Sequence, residues 1–164
     1  MSAPVTPAPA AAHVLAHELV LEVNTSATDS PTWTKVRFAS AINPTVTPTN
    51  NDATTYDDEG TDHPERVGET WAVAFTVNRY RTAGGDYLPE HEVLRKAADP
   101  GVRGAEAVVE VRYYDKGGAD EAYQGKASVG WTRGNTGPKD LGTAAVSLTG
   151  QGPLTPIANP AAGA

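Results

Sequence analysis

The 164-residue chain has no cysteine, a single methionine and only two phenylalanines. Without cysteine the protein has no disulfide bond, no thiolate zinc site and no cysteine nucleophile. No run of apolar residues approaches the ~20 that a membrane-spanning helix needs, so we expect no membrane insertion. The formal net charge of −7 disfavours tight binding to nucleic-acid phosphates. A chain of this length can bury a full core, and we expect one soluble domain made in the cytoplasm.

The negative charge is concentrated in one segment, "DATTYDDEGTDHPERVGE", residues 52–69. This segment holds seven carboxylates and one arginine, and it therefore accounts for −6 of the −7. It lies inside a longer stretch, 43–70, where Pro, Thr, Asn, Asp and Gly interrupt the alternation of apolar and polar residues. Loops this long are uncommon in compact domains and are usually functional or disordered. We therefore predict a long acidic loop over 43–70.

Alternating apolar and polar residues predict β-strands on both sides of this loop. The segments are "HELVLEV" (17–23), "TWTKVRFAS" (32–40), "TWAVAFTVNRY" (70–80), "AEAVVEVRYYD" (105–115), "EAYQGKASVGW" (121–131) and "GTAAVSLTG" (142–150). The fourth and fifth form a hairpin about Gly117 and Gly118, whose register is consistent on both faces. It places Tyr113 opposite Tyr123, Val109 opposite Ala127, Glu110 opposite Lys126 and Ala105 opposite Trp131.

One helix is predicted between the two groups of strands, within "YLPEHEVLRKAADPG" (87–101). Pro89 suits the first helical turn, and the late Arg95-Lys96 pair matches the helix dipole. The order β-β-β-α-β-β-β predicts a mainly β fold, an antiparallel β-sandwich or barrel with one flanking α-helix. We assign this domain to 13–157, with a flexible N-terminal arm at 1–12 and a C-terminal tail at 158–164.

The carboxylates of the acidic loop do not match a known metal site. A calcium loop takes oxygen ligands from alternating positions and a distal glutamate, whereas Asp57-Asp58-Glu59 are consecutive and their side chains diverge. Zinc needs three or four ligands, but His63 and His91 are isolated in the sequence. His13 and His17 are close, yet their stretch reads as an arm or a strand. We expect no metal site, and a weak Ca²⁺ or Mg²⁺ site in the loop is left open.

The loop does not match a catalytic site either. A glycosidase needs two carboxylates facing each other across a sugar-binding cleft. Asp57 and Asp62 could serve, but Tyr56 is the only aromatic platform in the loop. The chain has no Gly-x-Ser-x-Gly elbow and no phosphate-binding glycine loop. We therefore expect no catalytic residue and no cofactor, with a small hydrolase that uses the acidic loop as a less favoured alternative.

Several segments, in their order and spacing, resemble a major tail tube protein of a long-tailed bacteriophage. They cover about 19–160 and read "TWTKVRFASAINPTV", "TTYDDEG", "WAVAFTVNRY", "YLPEHEVLRKAA", "VVEVRYYDKGGADEAYQGKASVGW" and "VSLTGQGPLTPIANP". The resemblance implies a structural virion protein without catalytic residues, whose hexameric rings stack into a hollow tail tube for genome delivery. It also implies passage of DNA, and contacts with a tape-measure protein, a tail terminator and distal tail or baseplate proteins.

The same resemblance implies that the long loop contacts neighbouring subunits. Its candidate contact residues are Thr55, Tyr56, Asp57, Asp58, Glu59 and Asp62. An acidic loop needs basic partners, and the candidates are Arg79, Arg81, Arg95, Lys96 and Arg103. The polar face of the predicted hairpin is the candidate lumen surface, formed by Glu106, Glu110, Arg112, Gln124, Lys126 and Ser128. The alternative function is a β-sandwich binding module, either a carbohydrate-binding or a virion decoration domain.

Overall fold

The computed structural model describes residues 11–163, so most of the predicted N-terminal arm lies outside the described residues. The strands are β1 Leu19–Asn24, β2 Trp33–Lys35, β3 Ala39–Asp52, β4 Pro64–Asn78, β5 Val108–Asp115, β6 Ala122–Gly134 and β7 Thr143–Pro156. The α-helix α1 is Pro89–Ala97, and short 3-10 helices lie at Ala16–Glu18, Tyr56–Asp58 and Gly104–Ala107. Four of these strands therefore precede the helix, where the sequence predicts three.

All seven strands belong to one antiparallel sheet in the order β2-β1-β5-β6-β7-β4-β3. A flat sheet of this size is about 29 Å wide, given a strand spacing of ~4.8 Å. Yet β2 and β3, at opposite edges, are joined by residues 36–38 alone, a link that spans at most about 15 Å. The sheet must therefore curl until its two edges approach each other. The predicted class, mainly β and antiparallel with one helix, is confirmed.

The short link between the edge strands is hydrogen-bonded to both sides of the curled sheet. The backbone N–H of Val36 donates to the carbonyl of Leu21 in β1 at 2.9 Å. The carbonyl of Phe38 accepts from the N–H of Asn78 in β4, also at 2.9 Å. These two bonds hold the edges of the sheet near each other, because β1 neighbours β2 and β4 neighbours β3.

The core lies inside the curl and under the helix. Alternate residues of the strands supply it, including Leu21, Val23, Val73, Phe75, Val77, Val111, Val146 and Leu148. The helix begins with Pro89 in its first turn, as predicted, and buries Leu94 and Ala97 against this core. Trp71 is buried as well, and its indole N–H donates to the carbonyl of Gly152 at 3.0 Å.

The predicted hairpin register is confirmed where the two strands pair. Tyr113 lies opposite Tyr123, Val109 opposite Ala127 and Glu110 opposite Lys126. The predicted pairing of Ala105 with Trp131 is wrong. Ala105 belongs to the 3-10 helix Gly104–Ala107 ahead of β5, and Trp131 pairs with Val146 of β7.

The predicted loop over 43–70 is also wrong. Residues 43–52 belong to β3 and residues 64–70 to β4, and the two strands pair as far as Asp52 opposite Pro64. Only residues 53–63 lie outside the strands. Proline has no backbone N–H to donate to a neighbouring strand. Pro44 and Pro48 are tolerated because β3 is an edge strand, which pairs with a described strand on one side only.

Candidate functional site: a hairpin arm and an arginine pocket

The β3–β4 hairpin extends well beyond the rest of the sheet. Strand β4 pairs with β7 only from Ala72 to Asn78, so among the described strands its first half has β3 as its only neighbour. We call residues 47–70 the hairpin arm. The side chains of 47–52 and of 64–70 are exposed without interruption, including Val67 at 62% exposure. A two-stranded ribbon alone is marginally stable in water, so an arm of this kind is suited to contact another molecule.

The end of the arm, residues 53–63, is held in shape by its own side chains; we call it the acidic tip. The backbone N–H and the hydroxyl of Thr55 donate to Oδ2 of Asp58 at 2.7 and 3.0 Å. Nδ1 of His63 lies 3.0 Å from Oδ1 of the same carboxylate. The hydrogen bonds from the Thr55 backbone and hydroxyl, and then that of His63, lower the pKa of Asp58. Thr55 and Asp58 therefore shape the turn.

A second carboxylate stabilises the base of the tip. The hydroxyl and the backbone N–H of Thr54 donate to Oδ1 of Asp52, the backbone bond measuring 2.9 Å. These two bonds lower the pKa of Asp52. Two of the carboxylates in the acidic segment are thus used within the turn itself.

The remaining predicted contact residues of the tip face solvent. Tyr56 is fully exposed, at 103% of its reference area, and Asp57, Glu59 and Asp62 are exposed beside it. None of these three carboxylates forms an ion pair with any residue of the described chain. The tip thus presents one aromatic side chain and three unpaired negative charges in a fixed turn.

Two further features concern metal ions and membranes. Across residues 11–163, no three His, Asp or Glu side chains lie close enough together to hold a metal ion. His91, one of the candidate zinc ligands, is buried in α1, and its Nε2 donates to the carbonyl of Arg37 at 2.8 Å. No helix in this part of the chain has the length and apolar character required to cross a membrane.

The predicted basic partners do not form one group. Arg79, Arg81 and Arg95 line a common cavity of about 590 Å³. Lys96 lines a different groove, and Arg103 is exposed just before the 3-10 helix Gly104–Ala107. Arg133, at the end of β6, completes the cavity and was not among the predicted residues. We call this cavity, lined by the four arginines, the arginine pocket.

Aromatic rings form the walls of the arginine pocket and orient Arg79. The Arg79 guanidinium carbon lies 3.8 Å from the centre of the Tyr87 ring and 5.0 Å from that of Trp131. Its Nη2 donates to Oε1 of Glu92 at 3.3 Å, while its Nη1 is buried and has no hydrogen-bond partner in the described part of the chain. Stacking of this kind fixes a guanidinium plane and leaves its N–H groups directed at an acceptor.

The pocket carries a marked excess of positive charge. Of the described residues that line it, four are arginines and only Glu92 is a carboxylate. Arg95 is held by Glu92 and by Asp99, whose Oδ1 lies 2.8 Å from Nη1. Arg81 and Arg133 are exposed and have no ion pair within the described residues. A hydrogen bond from Arg81 and its positive charge lower the pKa of Tyr87.

Most residues of the candidate lumen surface lie on one face of the sheet. Glu110, Arg112, Gln124, Lys126 and Ser128 share the outer face of β5 and β6, whereas Glu106 lies apart in the 3-10 helix Gly104–Ala107. Gln124 donates to Oε1 of Glu110 at 2.9 Å, and Arg112 pairs with Glu22 of β1. Glu22 was not predicted here, because strand order is needed to bring β1 beside β5. The charges on this face largely compensate one another.

Neither a protein-family model nor a curated protein matches the sequence. Among solved structures, the chain is similar to the SPP1 tail tube, determined by solid-state NMR and cryo-electron microscopy, with a TM-score of 0.62. The two chains are 11% identical, and the match covers 87% of this chain and 78% of the other. At this identity the similarity shows the fold, which is tail-tube-like.

Proposed function

We propose that this protein is the structural subunit of a phage-type tail tube. Its hexameric rings would stack into the conduit through which the genome leaves the virion. The similarity in fold to the SPP1 tail tube supports a structural role of this kind. The partners of such a tube would be a tape-measure protein inside it, and terminator and baseplate proteins at its ends.

The observation that carries the proposal is the hairpin arm. Its residues 47–52 and 64–70 are exposed on both faces, and within residues 11–163 no strand lies beside one edge of β4 from Pro64 to Thr70. Exposed strand edges promote pairing with other chains, and proteins usually cover or shorten them. An arm of this length, left open in the single chain, is explained if neighbouring subunits cover it.

We also propose that the polar outer face of β5 and β6 lines the lumen of the tube. The predicted face, which includes Glu110 and Lys126, continues across the sheet into an uncharged region. That region consists of the outward residues of β6, β7 and β4: Gly130, Thr132, Ala145, Ser147, Thr149, Ala72, Ala74 and Thr76. Small side chains with little charge would let DNA pass without binding, because phosphate binding rests on Lys and Arg.

Analytical ultracentrifugation over a wide range of protein concentration tests the assembly. We expect species of ring size and larger to grow with concentration. A single monomeric species at every concentration would instead favour a β-sandwich binding module. Depletion of the protein by insoluble polysaccharides or by purified capsids would then separate a carbohydrate-binding domain from a decoration domain.

A further inference from the structure

The acidic tip and the arginine pocket lie at opposite ends of the same strand. The tip leads into Pro64 at the start of β4, and Arg79 follows directly after its last residue, Asn78. Fifteen residues of extended strand span roughly 50 Å at about 3.3 Å per residue. The tip therefore cannot reach the pocket of its own chain. Only the pocket of another copy is available to it.

The two surfaces are complementary in chemistry. The pocket offers two exposed arginines, Arg81 and Arg133, that form no ion pair with any of the described residues. The tip offers the unpaired carboxylates of Asp57 and Glu59 on either side of Asp58. Arginine and carboxylate form short, charge-assisted and often two-pronged hydrogen bonds.

We propose that the arginine pocket is the receptor for the acidic tip of a second copy of this chain. Asp57 and Glu59 would pair with Arg81 and Arg133, and Tyr56 would lie against the aromatic walls formed by Tyr87 and Trp131. This inference rests on the proposed function and identifies the contact by which one ring holds the next.

The geometry of the contact explains why it would propagate. A tip at one end of β4 that enters a pocket at the other end of a neighbour's β4 makes a head-to-tail contact, in which the two partners use different surfaces. Head-to-tail contacts that do not close on themselves generate open filaments. The hydrogen bonds of Asp52 and Asp58 fix the turn before binding. Less conformational entropy is then lost when the contact forms.

Charge reversal on each side tests the contact. We expect Arg81→Glu/Arg133→Glu to raise the concentration needed for tube formation by roughly tenfold or more. Asp57→Lys/Glu59→Lys should do the same. Lys35→Glu/Lys116→Glu is the matched control, because both lysines are exposed and lie outside the pocket, and it should leave tube formation unchanged. Circular dichroism checks that each variant is folded. If Arg81→Glu/Arg133→Glu does not fold, the neutral variant Arg81→Gln/Arg133→Gln takes its place in the test.

Mixing the two reversed variants gives a sharper result. Each variant retains one intact surface, the tip on one and the pocket on the other. The lysines of the reversed tip also complement the glutamates of the reversed pocket, so the mixture should recover tube formation that neither variant shows alone. A mixture that assembles no better than either variant alone would contradict the contact.

The absence of native cysteine permits a direct test of proximity. In a chain carrying Glu59→Cys and Arg133→Cys, mild oxidation should give a ladder of covalent multimers. Arg103→Cys with Glu59→Cys is the control and should give none. Failure of the Glu59–Arg133 pair to cross-link within assembled tubes would overturn the proposal.

The remaining outcomes separate the pocket from the function. If the wild-type chain forms tubes and the Arg81/Arg133 variants form them equally well, the tip–pocket contact is wrong and the proposed function stands. If those variants lose only the binding of a short DNA duplex, the pocket is a phosphate site, which also overturns the contact. If the wild-type chain forms no rings or tubes, the proposed function itself fails.

Discussion

The buried carboxylate of Glu90, at the start of α1, accepts a hydrogen bond from Nε of Arg37 at 2.7 Å. Arg37 lies in the link that joins the two edge strands, so this ion pair connects the helix to the closure of the sheet. Burial alone would raise the pKa of Glu90, but the hydrogen bonds and charge of Arg37, with a backbone hydrogen bond, hold that pKa below its usual value. The pair is therefore ionised at neutral pH, with its acidic partner shielded from water.

Replacement of Arg37 by alanine should destabilise the fold. The change leaves the Glu90 carboxylate buried without its partner, which costs about 3–5 kcal/mol when both groups are buried. Because the Arg37 side chain is 51% exposed, we expect a smaller loss of about 2 kcal/mol in the free energy of unfolding. Urea denaturation measures it. Lys35→Ala is the control, since Lys35 is exposed and forms no ion pair in the described chain. Equal losses in the free energy of unfolding for the two variants would contradict the role assigned to Glu90.

The stability of the fold should fall on acidification in two steps. Burial lowers the pKa of His91 below its usual value of 6.5, so the unfolded chain binds a proton there that the folded chain does not. Stability is therefore lost as the pH drops below about 6.5. The lowered pKa of Glu90 adds a second loss as the pH falls below its usual value of 4.5.

A substitution at His91 separates the two steps. His91→Gln keeps a side-chain N–H for the carbonyl of Arg37 but cannot be protonated. Urea midpoints measured between about pH 7 and about pH 5 should slope for the wild type and be flat for the variant. An unchanged slope in His91→Gln would show that another group is responsible.

A methyl group at Gly150 should destabilise the core by about 1–3 kcal/mol through overpacking. A Cβ at Gly150 would overlap the indole of Trp71. The same indole lies 2.5 Å from the place that a Cβ would occupy at Gly125. Gly68→Ala is a matched control in the hairpin arm, where the nearest atom would be 4.0 Å away, and we expect a change within about 0.5 kcal/mol. Thermal or urea unfolding of the two variants checks the difference, and similar stabilities would mean that the Trp71 ring moves aside freely.

Removal of the acidic tip should separate folding from assembly. Replacing residues 53–63 with a two-residue Asn-Gly turn joins the paired residues Asp52 and Pro64 and removes none of the buried core residues. We expect an unchanged far-ultraviolet circular dichroism spectrum, together with loss of stacked species in the ultracentrifuge. Loss of β-structure would show instead that the tip supports the fold of the single chain.

The parts of the fold that the sequence predicts are those buried on one face. In the hairpin of β5 and β6, Val109 and Tyr113 point to the core while Glu110 points outward, so alternation and register are both specified. The arm shows no such alternation, because both of its faces are exposed and nothing selects apolar residues on either side. For that reason the sequence pattern predicts a loop over 43–70, where the structure has two paired strands.

The sequence predicts only part of the arginine pocket, and the physical reason differs from that for the arm. Its residues come from the end of β4, the helix and the end of β6, which the chain order does not bring together. Arg79, Arg81 and Arg95 are among the predicted basic partners of the acidic loop. Arg133 is not among them. It reaches the pocket because it pairs with Ala144 of β7, and β7 lies beside β4 in the sheet.

Negative-stain electron microscopy of the purified, untagged protein at high concentration tests the central claim most directly. We expect rings, and with increasing concentration hollow tubes built from stacked rings, in low salt. High salt should shorten or dissolve the tubes, since it screens exposed charge pairs. Uniform single particles of the size of one chain, at every concentration and at both salt levels, would contradict the assignment of this protein to a tail tube.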